Sequence, residues 1–283
     1  MKRIVYSIYV DIPAREHFGK SKNRNDSVKK AKVTVNAFKE HYDRLISSKK
    51  DYAKKIGASF KMYIYDKKYI KWQQQFTKDF PEFTGYEVIN FYKIHILYEL
   101  AKVYDEILYL DFDAIPLTNE SFFDAWDLSK GMCILHNNRY VVQNLRVNHS
   151  IRSPTAKYYN CQAMLIDGGY NHANNVINTG IIGATKEQIK ELDYFGNFRE
   201  IIDLMTRLIT EPNDLYPQNI LDMFRYDNET IFSYKLRVNN IKVQWLDSEW
   251  HYFFDVQRFI PKETKIVHAI CKDFDCVWRR LDA

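Results

Sequence analysis

The stretch Tyr104-Asp105-Glu106-Ile107-Leu108-Tyr109-Leu110-Asp111-Phe112-Asp113-Ala114-Ile115-Pro116-Leu117 decides how this chain is read. Ile107 to Leu110 is an apolar, aromatic-containing run of the length and composition of a buried strand. It ends in two carboxylates one residue apart, and Pro116 then stops regular pairing. Alternate strand side chains share a face, which puts Asp111 and Asp113 on the same side. Two acids so placed repel each other unless a cation lies between them. An oxygen-rich site of this kind suits Mg or Mn, ions that commonly bridge to substrate phosphates. The plain alternative is a strand followed by a solvated acidic turn.

Outward from this stretch, the composition is globular: 283 residues, 46% hydrophobic and 27% charged, enough for one large domain or two small ones and incompatible with general disorder. Tyr (21) and Phe (18) far outnumber Gly (9) and Pro (7), which suits a compact α/β chain better than a repeat protein. The net charge of +5 is unevenly placed, because residues 13–55 hold 13 Lys/Arg against 5 Asp/Glu. That segment is either a solvated helix face or a landing surface for a polyanion such as nucleic acid or an anionic membrane. The four cysteines (Cys133, Cys161, Cys271, Cys276) form no Cys-x-x-Cys pair, which points to reduced thiols and a cytoplasmic setting, the host cytoplasm if the chain is viral. The basic N-terminus has too short an apolar run for a signal peptide, and no segment has the length of a membrane span.

Taken in order, Ile4–Val10 reads as a first strand ending at Asp11. Ligands of open α/β sheets bind at the carboxyl ends of strands, so Tyr9 and Asp11 are candidates to touch a nucleotide, with a cap or turn role open for Asp11. One long helix is expected from Asp26 or Ser27 to Gly57, then a strand over Phe60–Tyr65. Residues 67–87 are aromatic and resist placement. Ile89, Tyr92, Ile96, Leu100 and Val103 recur at helical spacing, giving a helix over Val88–Tyr104 that feeds the Asp111 strand in a β-α-β unit. Residues 131–136 form another strand. Residues 137–175 lack periodicity and carry Arg139, Arg146, Arg152 and Lys157 against Asp167, with tyrosines and His149 and His172 interleaved. This reads as an irregular basic insertion, either a phosphate- and base-gripping segment or a surface excursion. Thr185 and Gln188 have the spacing of a capping box. Helices follow, with a break at Gly196 and one or two helices over Gln218–Tyr234. Val243–Leu246 is a short strand, with an aromatic patch at Trp245, Trp250, Tyr252 and Phe253. Lys265–Ala269 is a strand carrying His268.

The block Phe91-Tyr92-Lys93-Ile94-His95-Ile96-Leu97-Tyr98-Glu99-Leu100, followed by Tyr104 to Asp113, resembles the centre of the GT-A fold glycosyltransferases, and glycosyltransferase family 8 in particular. The resemblance spans roughly residues 88–280. It implies one Rossmann-like GT-A domain over 1–283, with a mainly parallel central sheet flanked by helices. Residues 1–117 would be the nucleotide-binding half, and 118–283, containing the 137–175 insertion, the donor-sugar and acceptor half. Lys93 matches the family's lysine before the acidic motif. Asn178 and Gly180, in Asn178-Thr179-Gly180, match its donor-sugar segment. Asp227 matches the acidic residue that opens a helix and points at the reacting sugar, with Asn228 where the family has Gln and Glu229 as a rival. His268, Lys272 and Trp278 repeat its late His, Lys, Trp order at a different spacing.

The implied function is transfer of a sugar from a UDP-sugar, with retention of configuration. Asp111, Asp113 and His268 would hold Mn or Mg. Tyr9, Asp11, Lys93, Asp111, Asn178, Gly180 and Lys272 would bind the donor, and Asp227 would be catalytic. The acceptor would be a glycan, a protein or a hydroxylated base in duplex DNA. Two other classes stay open. A metal-dependent nucleotidyltransferase would want a Gly-rich phosphate loop that Asp11-Ile12-Pro13-Ala14 does not supply. A non-catalytic nucleic-acid-binding protein leaves the Asp111, Asp113 and His268 set without a task.

Overall fold

The computed structural model describes residues 1–12, 24–83, 85–142, 153–211, 214–255 and 259–282, with backbone alone for 24–31. Strand β1 (Arg3–Tyr9) starts the central sheet. Helices α1 (Arg24–Glu40) and α2 (Tyr42–Lys55) lead to β2 (Ser59–Ile64), and α3 (Lys67–Asp79) and α4 (Gly85–Ala101) lead to β3 (Glu106–Leu110). Next come β4 (Ala114–Pro116), α5 (Phe122–Ala125), β5 (Met132–His136), α6 (Ser153–Asp167), β6 (Ile177–Thr185), α7 (Lys186–Leu192) and α8 (Phe198–Thr210). The chain closes through α9 (Gln218–Leu221), α10 (Asn228–Val238), β7 (Val243–Trp245), β8 (Tyr252–Phe253), β9 (Ile266–His268) and α11 (Phe274–Leu281).

Six strands form the main sheet in the order β2-β1-β3-β6-β5-β7. β1 is parallel to β2 and β3, β6 is antiparallel to β3 and β5, and β5 is parallel to β7, so β6 alone runs against the other five. The expected α/β class with a central, mainly parallel sheet is therefore what forms. β3 sits inside it with Ile107, Leu108 and Leu110 fully buried. Each such side chain contributes about 1.5–3 kcal/mol on burial, which anchors the strand end that delivers Asp111. A smaller sheet, β4-β9-β8, lies just beyond that end. Its register sets Ala114 against His268 and His268 against Phe253.

Three expectations change. The long helix is two helices, α1 and α2, with a turn at His41. The His41 ring packs edge-on against Phe274, and its Nδ1 accepts a hydrogen bond from Trp278 Nε1 at 3.1 Å, a tie to α11 that the local sequence cannot announce. Residues 67–79 form α3, capped by Asp66, whose carboxylate accepts from the N–H groups of Lys68 and Tyr69 at 2.9 Å each. Residues 153–167, inside the stretch expected to be irregular, form α6. Its periodicity is hidden because it is covered on most sides, with Thr155, Ala156, Tyr159, Asn160, Cys161, Ala163, Met164 and Leu165 all buried. The rest of that expected insertion at 143–152, with Arg146, His149 and Arg152, lies outside the described residues, as do residues 13–23 of the basic segment.

Other expectations hold. Gly57 follows α2 at φ +67°, the Thr185–Gln188 capping box forms, and turns at 194–197 separate α7 from α8. The four cysteines are free thiols. Among the described residues, no helix is long and apolar enough to cross a membrane.

Candidate active site

Asp111, Asp113 and His268 meet at the junction of the two sheets. β3 ends at Leu110, and the Asp111 N–H donates to the Gly180 carbonyl of β6 at 2.7 Å. The chain then turns, with the Ala114 N–H bonding the Asp111 carbonyl at 2.9 Å. The two carboxylates thus converge through a turn and not by strand alternation, while Phe112 between them is buried and stacks on Tyr9 at 4.6 Å. The β4–β9 pairing brings in His268, and the Ala269 N–H donates to the Asp113 carbonyl at 2.9 Å. His268 Nε2 lies 3.4 Å from Asp113 Oδ1 and 3.7 Å from Asp111 Oδ2. One ligand atom from each of the three residues falls within 4.8 Å of the other two. Two carboxylates and one imidazole are a donor set that suits a divalent cation.

Three lysines surround the acids. Lys93, on α4 and 5% exposed, has its ammonium 3.5 Å from Asp111 Oδ1 and donates to the Thr179 carbonyl at 3.2 Å. Lys272 contacts the carboxylate of Asp113 from a backbone at φ +60°, a left-handed conformation that costs a non-glycine residue about 1–2 kcal/mol. Burial works to raise the Asp113 pKa, yet Lys272 and His268 together hold it well below the usual carboxylate range. Lys49 lies behind the turn, fully buried, and donates to the Phe112 carbonyl at 2.7 Å. Burial pushes its pKa down to about 7, against the pull of Asp113 and Asp111. In the sequence Lys49 is one cation of a segment that reads as a solvated helix face or a polyanion-binding surface. Lys32, Lys39, Lys50, Lys54 and Lys55 are indeed exposed.

The acids open on a cleft of about 790 Å³, whose lining includes Tyr9, Asp11, Lys93, Asn178, Asp227 and Lys272. Asp11, exposed, pairs with Lys39 at 2.9 Å. Across the cleft, Asp227 caps α10, accepting from the N–H groups of Glu229 and Thr230 at 3.0 Å each. Asn228 is buried and donates its amide to Thr179 Oγ1 at 2.9 Å. Glu229 is buried against Lys157, and its Oε1 accepts from the Thr179 N–H at 2.9 Å and the Asn178 amide at 3.2 Å. Burial raises the Glu229 pKa, and Lys157 with Lys93 more than offsets it, keeping the carboxyl below its usual value. The Asn178 carbonyl oxygen accepts from the Gly180 N–H at 2.9 Å, so both ends of that amide already have partners within the chain.

No family model matches the chain, and no curated protein matches it. Among solved structures, it is similar to a glycosyltransferase involved in the glycosylation of the major capsid of PBCV-1, at 15% identity over 99% of this chain and 100% of that one, with a TM-score of 0.46. It is similar to mouse xyloside xylosyltransferase 1 at 10% identity, over 96% and 98% of the two chains, with a TM-score of 0.47. Galactosyltransferase LgtC in complex with donor and acceptor sugar analogs is similar at 12% identity, over 95% of this chain and 87% of that one, with a TM-score of 0.43. These neighbours are glycosyltransferases.

The structure brings Tyr9, Asp11, Lys93, Asp111, Asp113, Asn178, Asp227, His268 and Lys272 to one cleft from six separate segments. Gly180 differs, standing behind His268 and outside the cleft lining. A Cβ at position 180 would lie 2.7 Å from His268 Nδ1, so the glycine makes room for the imidazole. Sequence reasoning missed Lys49 and the Lys157–Glu229 pair, and passed over His251, which is buried against His268. Burial, and His268 beside it, hold the His251 pKa well below the usual imidazole value.

Proposed function

We propose that the chain transfers a glycosyl group from a nucleoside diphosphate sugar to an acceptor hydroxyl, with Mn or Mg held by Asp111, Asp113 and His268. The observation that carries this reading is the convergence of those three side chains, from two sheets, at the wall of a cleft flanked by Lys93 and Lys272. When bound, the cation would act as a Lewis acid that stabilises charge on the departing diphosphate. Lys93 and Lys272 now neutralise Asp111 and Asp113, and an arriving diphosphate gives both ammonium groups a second anionic partner. Tyr9 and Asp11, at the carboxyl end of β1, stand where a nucleoside would lie. Asp227 and Glu229 put carboxylates on the opposite wall, suited to steadying positive charge at the anomeric carbon. The motifs' resemblance to family 8 favours a UDP-sugar and retention of configuration. The acceptor is a glycan, a protein or a hydroxylated base in DNA, and salt-dependent duplex binding would single out the last.

The test is incubation with UDP-sugars and Mn2+, scored for UDP. Slow release of UDP is expected from the wild type and its loss from Asp113→Asn. Unchanged turnover in that variant, or release of a sugar 1-phosphate in place of UDP, would overturn the reading.

A further inference from the structure

His268 faces the carboxylate pair with Nε2, while its other ring nitrogen meets a second histidine. Nδ1 of His268 and Nε2 of His251 are 3.0 Å apart. His251 is 1% exposed and precedes β8, with its backbone N–H bonded to the Asp247 carbonyl at 3.0 Å. The two rings lie 27° from parallel with centroids 5.3 Å apart, and Phe253 stands edge-on to both. Gly180 closes the remaining side of His268. The ring thus has one orientation, and what is left to choose is where its proton sits.

A single proton lies between two facing ring nitrogens, so one ring donates and the other accepts. If His251 donates, a neutral His268 carries its proton on Nε2, aimed at Asp113 and Asp111. That arrangement suits the bare carboxylates and leaves no lone pair for a cation. If His268 donates from Nδ1, its Nε2 lone pair faces the acids and can ligate. Ligating histidines commonly donate their second N–H to a carboxylate or carbonyl, and that bond fixes the tautomer. Here the acceptor is an imidazole, which must then carry its own proton on Nδ1. That atom is buried with no hydrogen-bond partner among the described residues. Each ring holds one proton in either arrangement, so passing between them releases none overall.

We propose that His251 is a positioning residue: by accepting from Nδ1–H of His268 it selects the tautomer whose Nε2 can bind a divalent cation. This rests on reading Asp111, Asp113 and His268 as a cation site. The experiment is Mn2+ binding without nucleotide, measured from the free-ion EPR signal, on the full chain and on His251→Phe, His251→Gln and Asp113→Asn. Phe keeps ring volume but cannot accept a proton, and Gln offers an amide oxygen near the position of Nε2. His251→Phe should bind Mn2+ about 10–100-fold more weakly, with His251→Gln restoring most of the loss.

A folding defect in the Phe variant does not remove the test, because the wild type can be read directly. In the Mg2+-loaded protein labelled with 15N in its histidines, long-range proton–nitrogen spectra should show His268 protonated at Nδ1 and bare at Nε2. Wild-type affinity in a folded His251→Phe, or a proton on Nε2 of His268 in the Mg2+-loaded protein, overturns the proposal. If the wild type binds Mn2+ and Asp113→Asn does not while His251→Phe does, the role of His251 falls and the cation site stands. If the wild type and Asp113→Asn both fail to bind, the cation site itself falls, and this role with it.

Discussion

Replacing Lys49 by Met probes the charge hidden behind the acidic turn. The ammonium donates to the carbonyls of Phe112 and Leu45 at 2.7 and 3.1 Å, and burial lowers its pKa from 10.5 to about 7. Below pH 7 both the folded and unfolded chains hold the proton, so the cost of burying the charge is fully present. Between about 7 and 10.5 the unfolded chain keeps the proton that the folded one has released, so stability rises with pH through that window. One proton corresponds to about 1.4 kcal/mol per pH unit.

Lys49→Met has no such slope. From about pH 7.5 to about pH 9.5 the wild type should therefore gain roughly 3 kcal/mol of unfolding free energy relative to the variant. A constant offset is superposed, because Met leaves two buried carbonyls short of a donor, at about 1–3 kcal/mol each. Urea titrations of both proteins at three pH values across this range separate slope from offset, since groups far from residue 49 cancel in the difference. Two curves that run parallel would refute a lysine buried in neutral form, whatever the size of the offset.

Three further substitutions test the walls of the cleft. Gly180→Ala puts a methyl 2.7 Å from His268 Nδ1 and 2.8 Å from Asn178 Oδ1, so it should cost about 1–3 kcal/mol in urea and weaken Mn2+ binding, and unaltered Mn2+ affinity would count against the packing role given to Gly180. Asp227→Asn keeps an equally good helix cap while removing the charge, so its melting temperature should stay near wild type as UDP release falls, whereas Asp227→Ala should also lose about 1 kcal/mol; equal losses of stability would show that the cap depends on the carboxylate charge. Lys157→Met strands the buried Glu229 carboxylate and should destabilise by about 3–5 kcal/mol, and adding Glu229→Gln should recover most of that loss in a thermal-melt comparison.

The fold and the acids were legible because their signals are local. Ile107 to Leu110 is an apolar run, and Asp111, Asp113 and His268 stand at element edges that hydrophobic patterning marks, while Lys93 lies inside α4 and is reached through the family resemblance. What the sequence hides is the pairing of buried polar groups with partners from elsewhere in the chain, Glu229 being read there only as a rival to Asp227 and Lys157 only as one of a set of cations. Lys49 finds the Phe112 carbonyl 63 residues away, Glu229 finds Lys157 at 72, and His251 meets His268 across the β8–β9 pair. In sequence each looks like an ordinary polar residue of a helix or turn, because desolvation appears only once the distant wall arrives. Helix α6 was hidden for a related reason, since burial on most of its faces leaves no polar stripe to set a period.

The same contrast bears on how the site is built. Asp111 is placed by β3 and its bond to Gly180, Asp113 by the turn that Lys49 braces, and His268 by the β4–β9 register and the His251 contact. The three candidate ligands thus rest on three separate supports. Loosening any one support should degrade cation binding before it degrades the fold, because each support touches the site over one or two hydrogen bonds while the strands that carry it, β3, β4 and β9, are buried along their length.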